Sequence, residues 1–193
     1  VCVATKSGNM IYAKSCIVAT GGLSRPETGS TGEGLLWLKK LGHTIKENDM
    51  ALVPLLLSDE WSKKLSGVTL DNVKITAYQN NEKQESQKGK ILFTHTGVSG
   101  PTILNMSREV GDLLKYGEVT LMLDIFPSID VGSLRQRFQG HLVEESNKKL
   151  KNVLPTFVPT SLAAAILELA SIDGDTFCHS VSSEDRVKLV KQM

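Results

Sequence analysis

The stretch IVATGG at residues 17–22 decides the fold class, because it joins an apolar run to a terminal Gly-Gly pair. The nearly continuous apolar character of residues 15–20 is typical of a buried parallel strand. A tight turn at the carboxyl end of such a strand is where open α/β sheets bind nucleotide cofactors. We therefore predict a strand followed by a cofactor-contacting turn at Thr20, Gly21 and Gly22.

Two shorter strands precede this run, at about residues 1–5 and 10–14, and residues 6–9 have the composition of a turn. No strand followed by a G-x-G-x-x-G turn comes before them. That turn is the usual pyrophosphate-binding element of a dinucleotide-binding domain. We expect, therefore, that the chain is a piece of a larger cofactor-binding protein.

A second glycine-rich segment, TGSTGEG at residues 28–34, leads into a helix predicted over residues 33–42. Glycines and hydroxyl groups before a helix N-terminus can form an anion-binding concavity. The alternative is a flexible loop in which Thr31 is the N-cap. At the other end of the helix, Lys39 and Lys40 occupy the last turn and Gly42 can cap it.

The charge, cysteine and histidine content limits the classes of function that the chain can have. The chain has 22 basic and 21 acidic side chains and a net charge of +1, which gives no support for binding to nucleic acid or a membrane surface through bulk charge. Its three cysteines favour reduced core thiols in a cytoplasmic protein, although a bridge between Cys2 and Cys16 is conceivable. The four histidines have no metal-ligand spacing, so we predict no metal site.

From residue 51 to about residue 126 the pattern becomes rich in β-strands. Strands are predicted at residues 51–57, 68–78, 90–94 and 118–125, with a polar hairpin loop at 79–89. One helix interrupts them, with Pro101 in its first turn. Its apolar face is formed by Ile103, Met106, Val110 and Leu113. More strands than helices indicate a small barrel-like β module.

Beyond residue 127 the pattern is helical. One helix has an apolar face at i, i+4 spacing, a second follows a cap at Thr160 and Ser161, and a third begins at Ser182. The apolar faces of the first two helices consist of Leu134, Phe138 and Leu142, and of Leu162, Ile166 and Leu169.

The segment FTHTGVSGP at residues 93–101 joins a strand to a helix. His95 and Ser99 are residue types used in acid–base and nucleophilic catalysis. However, the segment is not a G-x-S-x-G motif, and no acidic partner can be assigned. The alternatives are that Ser99 caps the helix and that His95 is a hydrogen-bonded loop residue. We nominate no catalytic residue.

Taken together, these motifs resemble one family. ATGG (19–22), PETGSTG (26–32), LGH (41–43), ALVPL (51–55) and LFTHTGVSGP (92–101) occur in the order seen in the aminoacetone-oxidase-like FAD flavoproteins, also called the BaiN-like or YhiN-like family. These proteins are NAD(P)/FAD-dependent oxidoreductases. The resemblance covers nearly the whole chain.

The resemblance implies an α+β chain in three parts. Residues 1–49 would be a slice of a Rossmann-like FAD-binding domain, residues 50–129 a β-barrel-like insert, and residues 130–193 a truncated helical insert. Residues 94–99 would face the cleft between insert and flavin domain. The residues near FAD would be Thr20, Gly21, Gly22, Ser24, Thr28, Gly29, Ser30 and Thr31.

The resemblance and the composition together lead to expectations about function. The parent protein would be an FAD-dependent oxidoreductase acting on a small molecule, and this piece would lack a complete active site and would not retain FAD. The alternative is a non-catalytic lid that binds substrate or a partner. We expect no nucleic-acid or membrane partner, a cytoplasmic location, and self-association through unpaired strand edges.

Overall fold

The computed structural model describes residues 1–46 and 52–193. The chain divides into two compact units, Val1–Asn48 and Asp49–Met193. The first unit contains a hairpin, a short 3₁₀ helix and one α-helix. The second contains an antiparallel sheet followed by a set of helices, so the chain is a mixed α+β protein.

The first unit begins with an antiparallel hairpin of β1 (Cys2–Ala4) and β2 (Met10–Tyr12). A 3₁₀ helix at Pro26–Thr28 precedes α1 (Glu33–Lys40). The hairpin and the helix are predicted correctly. The helix end is also as predicted, because the Gly42 N–H donates to the Lys39 carbonyl oxygen at 3.0 Å.

The predicted buried strand at residues 15–20 is wrong. These residues form no strand, all of them are exposed, and Ile17 is 90% exposed. An apolar run becomes a parallel strand only where neighbouring strands accept its backbone hydrogen bonds. In the described part of the first unit, β1 and β2 pair with each other and with no third strand.

The second unit is built on a curled five-stranded antiparallel sheet, the half-barrel. Its strand order is β3-β6-β5-β4-β7. The strands are β3 (Leu55–Leu56), β4 (Thr69–Gln79), β5 (Glu82–Phe93), β6 (Gly97–Ser99) and β7 (Thr120–Asp124). The prediction of a strand over 51–57 lies partly outside the described residues.

The β4–β5 hairpin corrects the predicted loop at residues 79–89. Strand β5 begins at Glu82, and the turn contains only Asn80 and Asn81, whose φ angles are 52° and 63°. Two consecutive residues at positive φ form the tight hairpin turn whose twist matches that of the strands.

The helices of the second unit are α2 (Glu60–Lys63), α3 (Pro101–Leu114), α4 (Val131–Glu144), α5 (Leu150–Val153), α6 (Thr160–Ala170) and α7 (Ser183–Lys191). Short 3₁₀ helices lie at Leu154–Thr156 and Cys178–Ser180. The spacing correctly predicted the buried face of α4 and, except for the half-buried Leu113, that of α3. Leu169 departs from its prediction, since it is 41% exposed.

The N-caps of three helices differ from the residues that the sequence suggested. The helix predicted to begin at Ser182 is α7, with Ser182 as its N-cap, whose hydroxyl accepts a hydrogen bond from the Asp185 N–H at 3.0 Å. The suggested caps of the other three helices are wrong. Gly32 rather than Thr31 precedes α1, Gly100 rather than Ser99 precedes α3, and Pro159 rather than Thr160 or Ser161 precedes α6.

The buried core of the second unit extends through both the sheet and the helices. Phe93 and Ile75 are fully buried on the sheet, and Phe138 is fully buried on α4. An ion pair between Lys64, at the end of α2, and Glu168 of α6 joins two of the helices, at 2.7 Å. Within the part of the chain that the structure describes, no helix is both long and apolar enough to cross a membrane.

Candidate functional site

The Gly-Gly turn of the first unit is held against the start of α1. A Cβ atom on Gly34 would lie 2.0 Å from Thr20 Oγ1 and 3.1 Å from Val18 Cγ1, so only glycine allows this approach. Gly21 has a φ of +71°, and a Cβ there would lie 3.2 Å from Ser30 Cβ. The structure therefore brings Thr20 and Gly21 next to Ser30 and the helix N-terminus.

A compact loop between the turn and α1 is organised by the backbone of Arg25. Ser30 Oγ donates to the Arg25 carbonyl oxygen at 2.7 Å and accepts from the Arg25 N–H at 3.0 Å. Thr28 Oγ1 donates to the same carbonyl oxygen at 2.9 Å. This role of Arg25 could not be predicted from its residue type, because its backbone N–H and carbonyl groups make these hydrogen bonds.

The predicted cofactor residues thus fall into two groups. The hydroxyls of Thr28 and Ser30 are engaged within the loop, so they shape the loop rather than offer free donors. Gly22 and Gly29 are open, because a Cβ on either would meet nothing within 4 Å. Ser24 and Thr31 are exposed, and the Thr31 N–H donates to the Gly29 carbonyl oxygen.

The geometry leaves the glycine backbone of the turn accessible. Open glycine backbone at Gly22 allows a phosphate or a flat ring to approach within van der Waals contact. The turn is exposed and does not enclose a ligand, since residues 13–29 are all exposed.

The second predicted segment, residues 94–99, consists of a tight turn at residues 94–96 and strand β6. The Thr94 N–H donates to the Gly97 carbonyl oxygen at 2.8 Å, and Thr94 Oγ1 accepts from the Gly97 N–H at 3.1 Å. His95 Nδ1 lies 3.1 Å from Ser66 Oγ, within hydrogen-bond distance. His95 is therefore a hydrogen-bonded loop residue, which was the alternative to a catalytic role.

Gly97 has a packing role in this segment. A Cβ on Gly97 would lie 2.0 Å from the Leu55 carbonyl oxygen and 2.9 Å from Leu56 Cα. Strand β3 runs directly against β6 at this point, with Leu56 opposite Gly97. The glycine is thus required by the close approach of two backbones.

Shifted pKa values occur on the second unit. Hydrogen bonds from Lys149 and Lys151 lower the pKa of Asp175 to about 2. A hydrogen bond from Lys115 lowers the pKa of Asp112, and a hydrogen bond from Ser133 lowers that of Asp130. Burial raises the pKa of Cys178. These shifts arise from helix caps, surface pairs and burial.

The structure also places the cysteines and the potential metal ligands. All three cysteines are free, and only Cys178 is buried, so the expectation of core thiols is wrong for Cys2 and Cys16. Over residues 1–46 and 52–193, no group of three or more histidine, cysteine or acidic side chains is placed to hold a metal ion.

A comparison with protein families assigns residues 50–193 to the HI0933-like protein barrel and H2TH domain. The chain belongs to the HI0933-like family. This family comprises the FAD-dependent flavoprotein oxidoreductases of the BaiN-like and YhiN-like type, so the resemblance drawn from the five motifs is confirmed.

Similar proteins with established names include a 3-dehydro-bile acid delta(4,6)-reductase of Clostridium scindens, 28% identical over 166 residues, which are 86% of this chain and 40% of that protein. Ribosomal RNA dihydrouridine synthases of Escherichia coli and Haemophilus influenzae are 27% and 29% identical, over 97% and 91% of this chain. The chain spans 40% to 44% of the length of these relatives.

Proposed function

We propose that this HI0933-like chain supplies the half-barrel and helical insert of an FAD-dependent oxidoreductase, with part of its cofactor-binding unit. The observation that carries the proposal is the family match over residues 50–193, together with relatives named as a reductase and as dihydrouridine synthases. The chain alone is inactive in this proposal, because its described turn at Thr20 to Gly22 does not enclose a cofactor.

Bound FAD would supply hydride transfer, as flavins do. In that arrangement the backbone at Gly21 and Gly22 contacts the flavin nucleotide, and Gly34 holds α1 against Thr20 so that the turn keeps its shape. The hydroxyls of Thr28 and Ser30 hold the adjoining loop through Arg25. Ser24, Gly29 and Thr31 line the open side of the same loop.

The relatives' names suggest the reaction class. Formation of dihydrouridine saturates a carbon–carbon double bond conjugated with a carbonyl group, and so does reduction of a 4,6-diene conjugated with a 3-oxo group. We infer that the parent of this chain transfers a hydride to such an activated double bond. The near-neutral charge of the chain favours a small molecule over RNA as its substrate.

A second candidate is a non-catalytic lid that recognises the substrate. The rigid turn at residues 94–97 favours it, because His95 and Thr96 are exposed at its tip while the backbone is fixed by the Thr94–Gly97 hydrogen bonds. A lid that binds by itself would show a higher melting temperature with a candidate substrate in the absence of FAD. No shift with a 3-oxo-4,6-diene steroid or with uridine would count against it.

A chimera tests the main proposal. The segment of the Escherichia coli relative that aligns with this chain is replaced by this chain, and the purified protein is assayed for bound flavin. We expect a flavin-containing protein, with flavin lost on Gly34→Ala and kept on Gly140→Ala, where nothing lies within 4 Å of the added methyl group. A folded chimera without flavin would contradict the proposal.

A further inference from the structure

A cavity of about 490 Å³ opens on one face of the half-barrel. We call it the half-barrel cavity. Its floor is formed by Ile75, Phe93 and Ile103, each at most 2% exposed. The half-buried side chains of Trp61, in α2, and of Leu121, on the edge strand β7, also line the cavity. The cavity belongs entirely to the second unit.

The size and lining of this cavity are those of a small-molecule site. Such sites typically measure roughly 300–1,000 Å³ and combine apolar and aromatic walls with a few polar groups. Here the rings of Trp61 and Phe93 lie 6.3 Å apart at 58°, so two neighbouring aromatic side chains belong to the lining. An alicyclic or aromatic ring would be buried against them.

Two of the polar residues that line this cavity are acidic. Asp59 and Glu118 both line the half-barrel cavity. Among the ion pairs of the described residues, neither carboxylate has a partner. Asp59 precedes α2, yet its side chain makes no capping hydrogen bond there. Both carboxylates are therefore available to a ligand.

We propose that the half-barrel cavity binds a compact apolar ring compound that carries a positively charged amino group. The ring occupies the pocket between Trp61, Phe93 and Leu121, and the ammonium group faces Asp59 and Glu118. This site uses none of the residues assigned to the flavin, so the inference does not depend on the proposed function. It also predicts discrimination against ligands that carry a carboxylate.

Three adamantane compounds of similar size test the proposal on the 193-residue chain: 1-adamantylmethylammonium, 1-adamantanemethanol and 1-adamantanecarboxylate. They do not absorb near tryptophan, and Trp37→Phe leaves Trp61 as the single tryptophan. The dissociation constants are taken from the change in Trp61 fluorescence. We expect the ammonium compound to bind about five- to tenfold more tightly than the carboxylate, since exposed carboxylates contribute modestly.

Two sets of variants locate the site. Asp59→Asn with Glu118→Gln should reduce the preference for the ammonium compound to less than about twofold and leave the alcohol unaffected. The control, Glu82→Gln with Glu109→Gln, changes the net charge equally at exposed positions outside the cavity and should preserve the preference. Leu121→Phe should weaken the binding of all three compounds, because the larger side chain narrows the half-barrel cavity.

Specific results would overturn the inference. They are no change in Trp61 fluorescence with any compound, equal affinity for the ammonium and carboxylate compounds, or a preference that survives removal of both carboxylates. A dimer in sedimentation whose dissociation is required for binding would also overturn it, because a second copy would then occupy the cavity. If Leu121→Phe fails to fold, the charge variants, at the exposed residues Asp59 and Glu118, still decide the outcome.

Discussion

Replacing Gly97 by alanine tests whether residues 94–101 are held in place by close packing of β6 against β3. The added Cβ would lie 2.0 Å from the Leu55 carbonyl oxygen, whereas ordinary contacts begin at 3.4 Å. Strand β3 would therefore have to retreat by about 1.4 Å. That retreat would break the β3–β6 pairing and the hydrogen bond from the Leu57 N–H to the Thr96 carbonyl oxygen.

The expected cost follows from these contacts. Overpacking costs about 1–3 kcal/mol, and each lost backbone hydrogen bond costs about 0.5–1.5 kcal/mol. We expect Gly97→Ala to lower the free energy of unfolding by about 2–4 kcal/mol, and the melting temperature by roughly 5–15 °C. Urea unfolding followed by circular dichroism measures the first quantity, and a thermal scan measures the second.

Gly111→Ala is the matched control. Gly111 lies inside α3, and a Cβ there would meet nothing within 4 Å. Alanine is preferred to glycine in a helix by about 0.5–1 kcal/mol, so this variant should be as stable as the wild type or more so. The reasoning fails if Gly97→Ala stays within about 0.5 kcal/mol of wild type, or if both variants are equally destabilised.

Three further predictions concern stability. Ser182→Ala removes the α7 cap to the Asp185 N–H and should cost about 1 kcal/mol in urea unfolding. The pKa of Asp175 is lowered to about 2, so its contribution to stability is present above about pH 4 and is lost as the pH falls from about 4 to 2. Asp175→Asn should therefore flatten the dependence of the free energy of unfolding on pH in that range. Asn81→Gly relieves a residue at φ 63° and should raise the melting temperature, whereas Asn81→Val should lower it.

The sequence predicted the helices, because the apolar spacing of a helix depends only on residues close together in the chain. Ile103, Met106 and Val110 recur at helical spacing, and all three are buried on α3. Leu134, Phe138 and Leu142 do the same on α4. A helix makes its backbone hydrogen bonds within one segment, so such a pattern needs no distant partner to be recognised.

Strands were less predictable, because their partners are distant in the sequence. The first half of β5, from Glu82 to Lys88, is charged and polar, and no apolar alternation marks it as a strand. Its pairing with β4 is set by the turn at Asn80 and Asn81, which was the sequence signal that went unused. Conversely, the apolar residues 15–20 lack strand partners among the described residues.

The candidate sites were predictable only in part. Asp59, Glu118 and Trp61 are widely separated in the sequence, and the half-barrel brings them to one cavity. Ser66 and His95 likewise meet only because β4 and β5 pair. The glycine motifs were visible in the sequence, but the reason for each glycine was not. Gly22 lies in an open turn, whereas Gly97 is required by a close contact with the backbone of β3.

The most direct test of the central claim is a visible absorbance spectrum of the purified 193-residue chain after incubation with excess FAD and desalting. The account predicts that circular dichroism will show a folded chain and that no flavin absorbance will remain, because the turn at Thr20 to Gly22 is exposed and encloses no cofactor. Retention of one flavin per chain would contradict the account and would make Gly21, Gly22 and Gly34 part of a self-contained flavin site.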